Sequence, residues 1–168
     1  PHWCYDARRA QRFWGEHQYH YTAPVPGVLA LHEALRLVAE ETLPRRFRRH
    51  EVSSLAMQAG LEAMGLTLFA PKDVRLNSVL AITLPDGVDS ARLREHMTKA
   101  FRVEISGAFG LNIVRVGQMG EQCRSHNLFK TLYALGRSFS SQGARLDVAA
   151  GMSALEQGLT DDQDYFLD

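Results

Sequence analysis

Val103-Glu-Ile-Ser-Gly-Ala-Phe-Gly-Leu-Asn-Ile-Val-Arg-Val-Gly-Gln-Met-Gly120 sets two strand-like runs on either side of a glycine-bearing connection. Val103–Ser106 and Ile113–Gln118 read as strands, because β-branched residues favour a pleated backbone, and Gly107–Leu111 reads as the loop between them. Upstream, Ser78–Leu84 with Val79, Leu80 and Ile82 is a further strand, and Leu66–Phe69 is a short one. Four short strands in this stretch call for an antiparallel sheet, and the segments around them decide what covers it.

Those segments read as helices. From Gly27 to Glu41 the apolar Val28, Leu31, Leu35 and Val38 recur at three- and four-residue steps, opposite Glu33, Arg36 and Glu40. Pro44 suits the first turn of a second helix, whose stripe is Val52, Leu55, Ala56, Ala59 and Ala63 and which Gly65 ends. Asp86-Gly87 turns the chain. Asp89 then caps a third helix with Leu93, Met97 and Phe101 on one face, and Val88 and Leu93 stand at staple spacing. Ser125 caps a helix carrying Leu128, Leu132, Leu135 and Phe139, a last helix covers about Asp147–Gly158, and the acidic tail after Thr160 is expected to be disordered at its end. The order predicts an α+β fold: a small, mostly antiparallel sheet with helices on one face, preceded by an extended arm and a long helix.

The chain has 168 residues, 45% of them hydrophobic, which is enough for one real core. Nineteen basic residues balance nineteen acidic ones, so no overall field favours nucleic acid. The one basic cluster, Arg45, Arg46, Arg48, Arg49 and His50, has no interleaved aromatics for bases and reads as a solvated charged face. No apolar run reaches membrane-spanning length, and no charged start followed by an apolar run marks a signal peptide. Cys4 and Cys123 form no paired motif and the seven histidines no metal-ligand set, so neither a disulfide framework nor a metal site is expected; a reducing, cytoplasmic setting follows. The first residue is Pro1 rather than Met, and residues 1–18 look like the middle of something longer.

Two places can carry chemistry. If Ile113–Gln118 is a strand, Arg115 shares a face with Ile113 while Val114 and Val116 pack on the other. An arginine in an apolar strand calls for an anion, and its planar fork matches a substrate carboxylate or an intramolecular aspartate or glutamate equally well. In Tyr19-His-Tyr-Thr-Ala-Pro-Val-Pro26 the prolines bias Ala23 and Val25 toward extended geometry, so Tyr19 and Thr22 can project hydroxyls from a stiff arm toward a phosphate. The other reading is an aromatic connector that covers the core. Ser106 and Ser125 lack histidine and carboxylate partners, and Cys123, beside Arg124 and near His126, is a weak thiolate candidate.

Tyr19-His-Tyr-Thr-Ala-Pro-Val25, the helix Leu29–Val38, the turn Pro85-Asp-Gly-Val-Asp89, Val103-Glu-Ile-Ser-Gly107 and Val114-Arg-Val-Gly-Gln-Met-Gly120 together resemble the class V pyridoxal-phosphate aminotransferases, in the alanine-glyoxylate, serine-pyruvate and ureidoglycine-glyoxylate branch. The resemblance runs in order from about Trp14 to Leu159. It implies that Tyr19 and Thr22 bind the phosphate of pyridoxal 5'-phosphate held by the partner subunit of a homodimer. It implies that Arg115 binds the α-carboxylate of the substrate, a small amino acid or a 2-oxo acid such as glyoxylate or pyruvate. Residues 1–42 would close the large cofactor domain, 43–160 would form the C-terminal small domain, and 161–168 an acidic tail.

The same resemblance puts the Schiff-base lysine and the aspartate facing the pyridine nitrogen upstream of Pro1. No catalytic residue is expected within the chain, Lys72, Lys99 and Lys130 have no such role, and the chain alone is expected to be inactive. Between Gly110 and Arg115 the chain is shorter than the family's usual Gly-Pro-x-x-Gly-Lys loop, which bears on the choice of acceptor. A non-enzymatic ligand-sensing or dimerisation module is the reading from another class.

Overall fold

A computed structural model describes residues 2–160 of the chain, so the expected tail at 161–168 lies outside the described residues. The chain divides into two units, Pro1–Leu43 and a second one beginning at Pro44.

The first unit holds a 3-10 turn (Trp3–Tyr5), helix α1 (Ala7–Glu16), an irregular segment and helix α2 (Val25–Glu41). Helix α1 was not expected from the sequence, yet it carries a clear start signal, since the Asp6 carboxylate accepts from the backbone N–H groups of Arg8 and Arg9. Helix α2 starts two residues earlier than the periodicity predicts. Pro26 sits in its first turn, where a missing N–H costs nothing, so Val25 is helical rather than extended. The expected strand-like arm is irregular chain from Gln18 to Pro24.

The second unit contains α3 (Leu43–Ala63), β1 (Thr67–Leu68), β2 (Val79–Thr83), α4 (Ser90–His96), β3 (Ser106–Ala108), β4 (Leu111–Gly117), α5 (Ser125–Ser140) and α6 (Val148–Thr160). The sheet is antiparallel with order β1-β2-β4-β3. Rows Leu68-Ile82-Val114 and Leu80-Val116 line its buried face. They join Met57, Leu61, Leu93, Leu132, Leu135, Phe139, Leu155 and Leu159 from the helices in one core, which is the α+β arrangement expected. Helices α3 and α6 approach so closely that a Cβ on Gly151 would lie 2.8 Å from the Gly60 carbonyl oxygen, and one on Gly158 2.9 Å from Ala56 Cα. Among the described residues no helix is long and apolar enough to cross a membrane.

Three local expectations are corrected. The segment expected as one strand over Val103–Ser106 and a loop over Gly107–Leu111 is a tight hairpin instead. Gly110 takes φ +69°, so the chain reverses within Phe109-Gly110, and pairing starts at Ala108 with Leu111 and continues to Ser106 with Arg115. The third helix is capped by Asp89, whose carboxylate accepts from Arg92 N at 2.7 Å, but after His96 it widens into a π-turn over Met97–Phe101. That turn ends at Arg102, a non-glycine residue in the left-handed region at φ +56°. Ser125 lies inside α5, whose N-cap is Arg124 without a side-chain capping bond.

Candidate functional site

Arg115 sits near the middle of β4, in a cross-strand row with Ala81 and Ser106, on the sheet face opposite the core row of Val114 and Val116. Period-two alternation alone puts it there. Its side chain is exposed, and both Nε and Nη2 donate to the Gly107 carbonyl oxygen of the adjoining strand, at 3.1 and 2.8 Å. The intramolecular carboxylate weighed from the sequence is not its partner. The side edge of the guanidinium is fixed by a neutral acceptor, and its outer end, Nη1 with the second Nη2 hydrogen, faces no protein acceptor among the described residues. A fork held by its edge and open at its end is oriented for a carboxylate.

This guanidinium opens on a cleft of about 670 Å³, among whose lining residues are Arg102, Glu104, Gln122, Asn127, Lys130 and Thr131. The π-turn and the left-handed Arg102 deliver one wall, residues 102–106, and the N-terminal half of α5 delivers the other. π-Turns and strained non-glycine residues recur at ligand sites because packing elsewhere must hold them in place.

The end of β4 is anchored by a buried polar cluster that the sequence reading missed. Arg49 of α3 is 5% exposed, and its Nη1 donates to the Gly120 carbonyl at 2.8 Å and to Cys123 Sγ at 2.6 Å. His50 Nε2 accepts from Gly120 N at 3.1 Å, and Ser53 Oγ donates to the Cys123 carbonyl at 2.8 Å. The basic cluster is therefore not wholly a solvated face. Its arginine at position 49 ties the turn after β4 to α3, and Cys123 is a buried thiol within that tie. The signal available in the sequence was the spacing of Arg49 and Ser53, one helical turn apart on the face that carries Val52 and Ala56.

In the first unit, Tyr19 Oη and Thr22 Oγ1 lie 2.7 Å apart, both on exposed residues. The neighbouring His20 is 5% exposed, with Nε2 hydrogen-bonded to the Trp3 carbonyl at 2.9 Å and its ring edge-on to Trp3 and Tyr21. The aromatic segment thus divides: His20 holds the chain in place, and Tyr19 and Thr22 present paired hydroxyls outward. Two hydroxyls that share one hydrogen bond have donor and acceptor capacity to spare, which fits a phosphate oxygen and requires no charged neighbour.

The fold and site define an α+β domain with a polar cleft lined by Arg115, joined to a segment that offers a hydroxyl pair. No family model matches the chain. It is 32% identical over 154 residues to the (S)-ureidoglycine–glyoxylate transaminase of Bacillus subtilis, a match covering 89% of this chain and 37% of that protein. It is 30% identical over 132 residues to the alanine–glyoxylate aminotransferase of Callithrix jacchus, covering 73% of this chain and 32% of that one. The crystal structure of the ureidoglycine–glyoxylate aminotransferase from Bacillus subtilis superposes with a TM-score of 0.85 at 30% identity, over 94% of this chain and 41% of that one. The chain belongs to the class V aminotransferases and spans between about a third and two fifths of the length of these relatives.

Proposed function

We propose that this chain acts as the C-terminal portion of a pyridoxal-phosphate-dependent aminotransferase that moves an amino group from a small amino acid to a 2-oxo acid such as glyoxylate or pyruvate. The observation that carries the reading is Arg115. It is a guanidinium fixed by its edge to Gly107, open at its end, and set in a polar cleft on a rigid strand. Binding the α-carboxylate there fixes one end of the substrate and orients its amino or oxo carbon, and orientation of this kind supplies much of the rate in group transfer. Tyr19 and Thr22 take the phosphate of a cofactor held by the second subunit of a homodimer. When bound, pyridoxal phosphate supplies the electron sink for the transfer. The chain's own residues bind and orient, and the covalent lysine belongs to the remainder of the polypeptide, so the chain by itself is inactive. Two cysteines kept as thiols suit a reducing, cytoplasmic setting.

The experiment is made on the full-length polypeptide. Offered a panel of small amino acids, it should release the matching 2-oxo acid in stoichiometric amount from one donor class, and no release from any donor would end the reading. Tyr19→Phe combined with Thr22→Ala should lose cofactor on dialysis that the parent protein retains, because two hydroxyl bonds of roughly 0.5–1.5 kcal/mol each are removed. Full occupancy after dialysis would remove the clamp role.

A further inference from the structure

Around Arg115 the cleft carries more positive charge than one carboxylate needs. Arg102 and Lys130 line it with Arg115, while Glu104 is the only carboxylate among the lining residues. Neither Lys130 nor the Arg102 side chain makes a hydrogen bond or ion pair with any described residue, and Lys130 is one of the three lysines, with Lys72 and Lys99, to which the sequence assigned no catalytic role. Elsewhere in the second unit Lys99 pairs with Glu95 and Arg48 with Glu51, while the exposed Lys72, Arg92, Arg137 and Arg145 make no side-chain ion pair among the described residues; what sets Arg102 and Lys130 apart is that both line the cleft of Arg115. The cleft thus sets three cations against the single carboxylate of Glu104. The chain conformation that brings Arg102 to its rim is also the least ordinary in the unit, a π-turn closed by a left-handed arginine.

We propose that this cleft is a two-anion site: Arg115 takes the α-carboxylate, and Lys130 with Arg102 takes a second carboxylate, so that the preferred amino donor is a small amino dicarboxylate. The inference rests on the Arg115 reading above and narrows its donor. Two separated cations recognise the second acid group as a point charge and a fork respectively, and both are solvated, so discrimination comes from summed modest contributions rather than from one buried pair.

The site is testable on the full-length polypeptide with acids that do not react. Succinate and butyrate share a four-carbon backbone and differ in the second carboxylate. At constant ionic strength, titration of the full-length protein followed by amide and Arg Nε–H resonances should show succinate binding about ten-fold more tightly than butyrate, an exposed pair changing affinity by up to about five-fold. Lys130→Gln should cut the succinate preference several-fold while leaving butyrate affinity unchanged, and Arg102→Asn, which keeps the left-handed residue tolerable, should cut it again. Equal affinities for the two acids, both lost in Arg115→Gln, would overturn the second anchor and leave the carboxylate reading standing. If neither acid shifts the resonances of the cleft, both readings fall. A succinate preference that survives the Lys130→Gln, Arg102→Asn double variant would also overturn the assignment.

Discussion

The two units of this chain are held together by different physics. In the second, some two dozen apolar side chains meet in one core, and helices approach to the contact limit through Gly60, Gly151 and Gly158. In the first, His20 is the only buried residue among those described, and α2 leaves Val28, Leu31 and Leu35 more than half exposed. What α2 has instead is local: Arg36 bridges Glu33 and Glu40 on one side of the helix. A strong apolar periodicity is thus not by itself a buried face. Arg115 sits on the unit with its own core, while the Tyr19–Thr22 hydroxyl pair sits on the other.

Matched substitutions sharpen this contrast. The largest difference is expected between Leu132→Ala and Leu35→Ala. Leu132 is fully buried, so its truncation should lower the free energy of unfolding by about 2–5 kcal/mol, whereas Leu35 is 58% exposed and its truncation should stay within about 0.5 kcal/mol. Urea midpoints would check both, and similar costs at the two positions would break the contrast. Next come two glycines. A Cβ at Gly151 meets Met64 Cε and the Gly60 carbonyl oxygen at 2.8 Å, so Gly151→Ala should cost about 1–3 kcal/mol by overpacking. At Gly27 the nearest atom is Pro24 Cβ at 3.8 Å, and Gly27→Ala should raise α2 helicity, as alanine is the better helix former by up to about 1 kcal/mol.

The smallest effect is electrostatic. The hydrogen bond from Arg36 holds the Glu33 carboxyl below its ordinary value, and its charge acts in the same direction. A carboxylate depressed in the folded state stabilises it at pH values above its unfolded pKa, and that contribution is lost as the pH falls through the folded pKa. Helicity of α2 should therefore be flat from neutrality down to about pH 5 and decline below about pH 4. Arg36→Gln should remove the decline specific to α2, and residue-resolved carbon chemical shifts would show it. An unchanged acid profile in Arg36→Gln would remove the ion pairs from the account.

Much of this was legible in the sequence, because apolar spacing and cap residues are local signals. The helices from Pro44, Asp89 and Asp147, the strand around Val79–Thr83 and the α+β class follow from them. Other features depended on what the chain meets in space. The 103–111 segment became a hairpin because one left-handed glycine shortened the turn, and the residues expected as a strand became a wall of the cleft. Arg49 looks like its neighbours in sequence, and only the return of Gly120 and Cys123 to α3 makes it a buried tether. Alternation along β4 placed Arg115, yet its partner, a backbone carbonyl of the next strand, has no sequence signature. Lys130 gave no signal at all until α5 was set beside residues 102–106.

The central claim is that Arg115 holds the substrate carboxylate, and it is tested most directly by kcat/KM for Arg115→Ala in the full-length polypeptide, read beside cofactor content. Loss of charge-assisted bonds worth roughly 1.5–3 kcal/mol each should lower kcat/KM about a hundred-fold or more, with the cofactor retained at the parental level. An unchanged kcat/KM in a protein that keeps its cofactor would contradict the account.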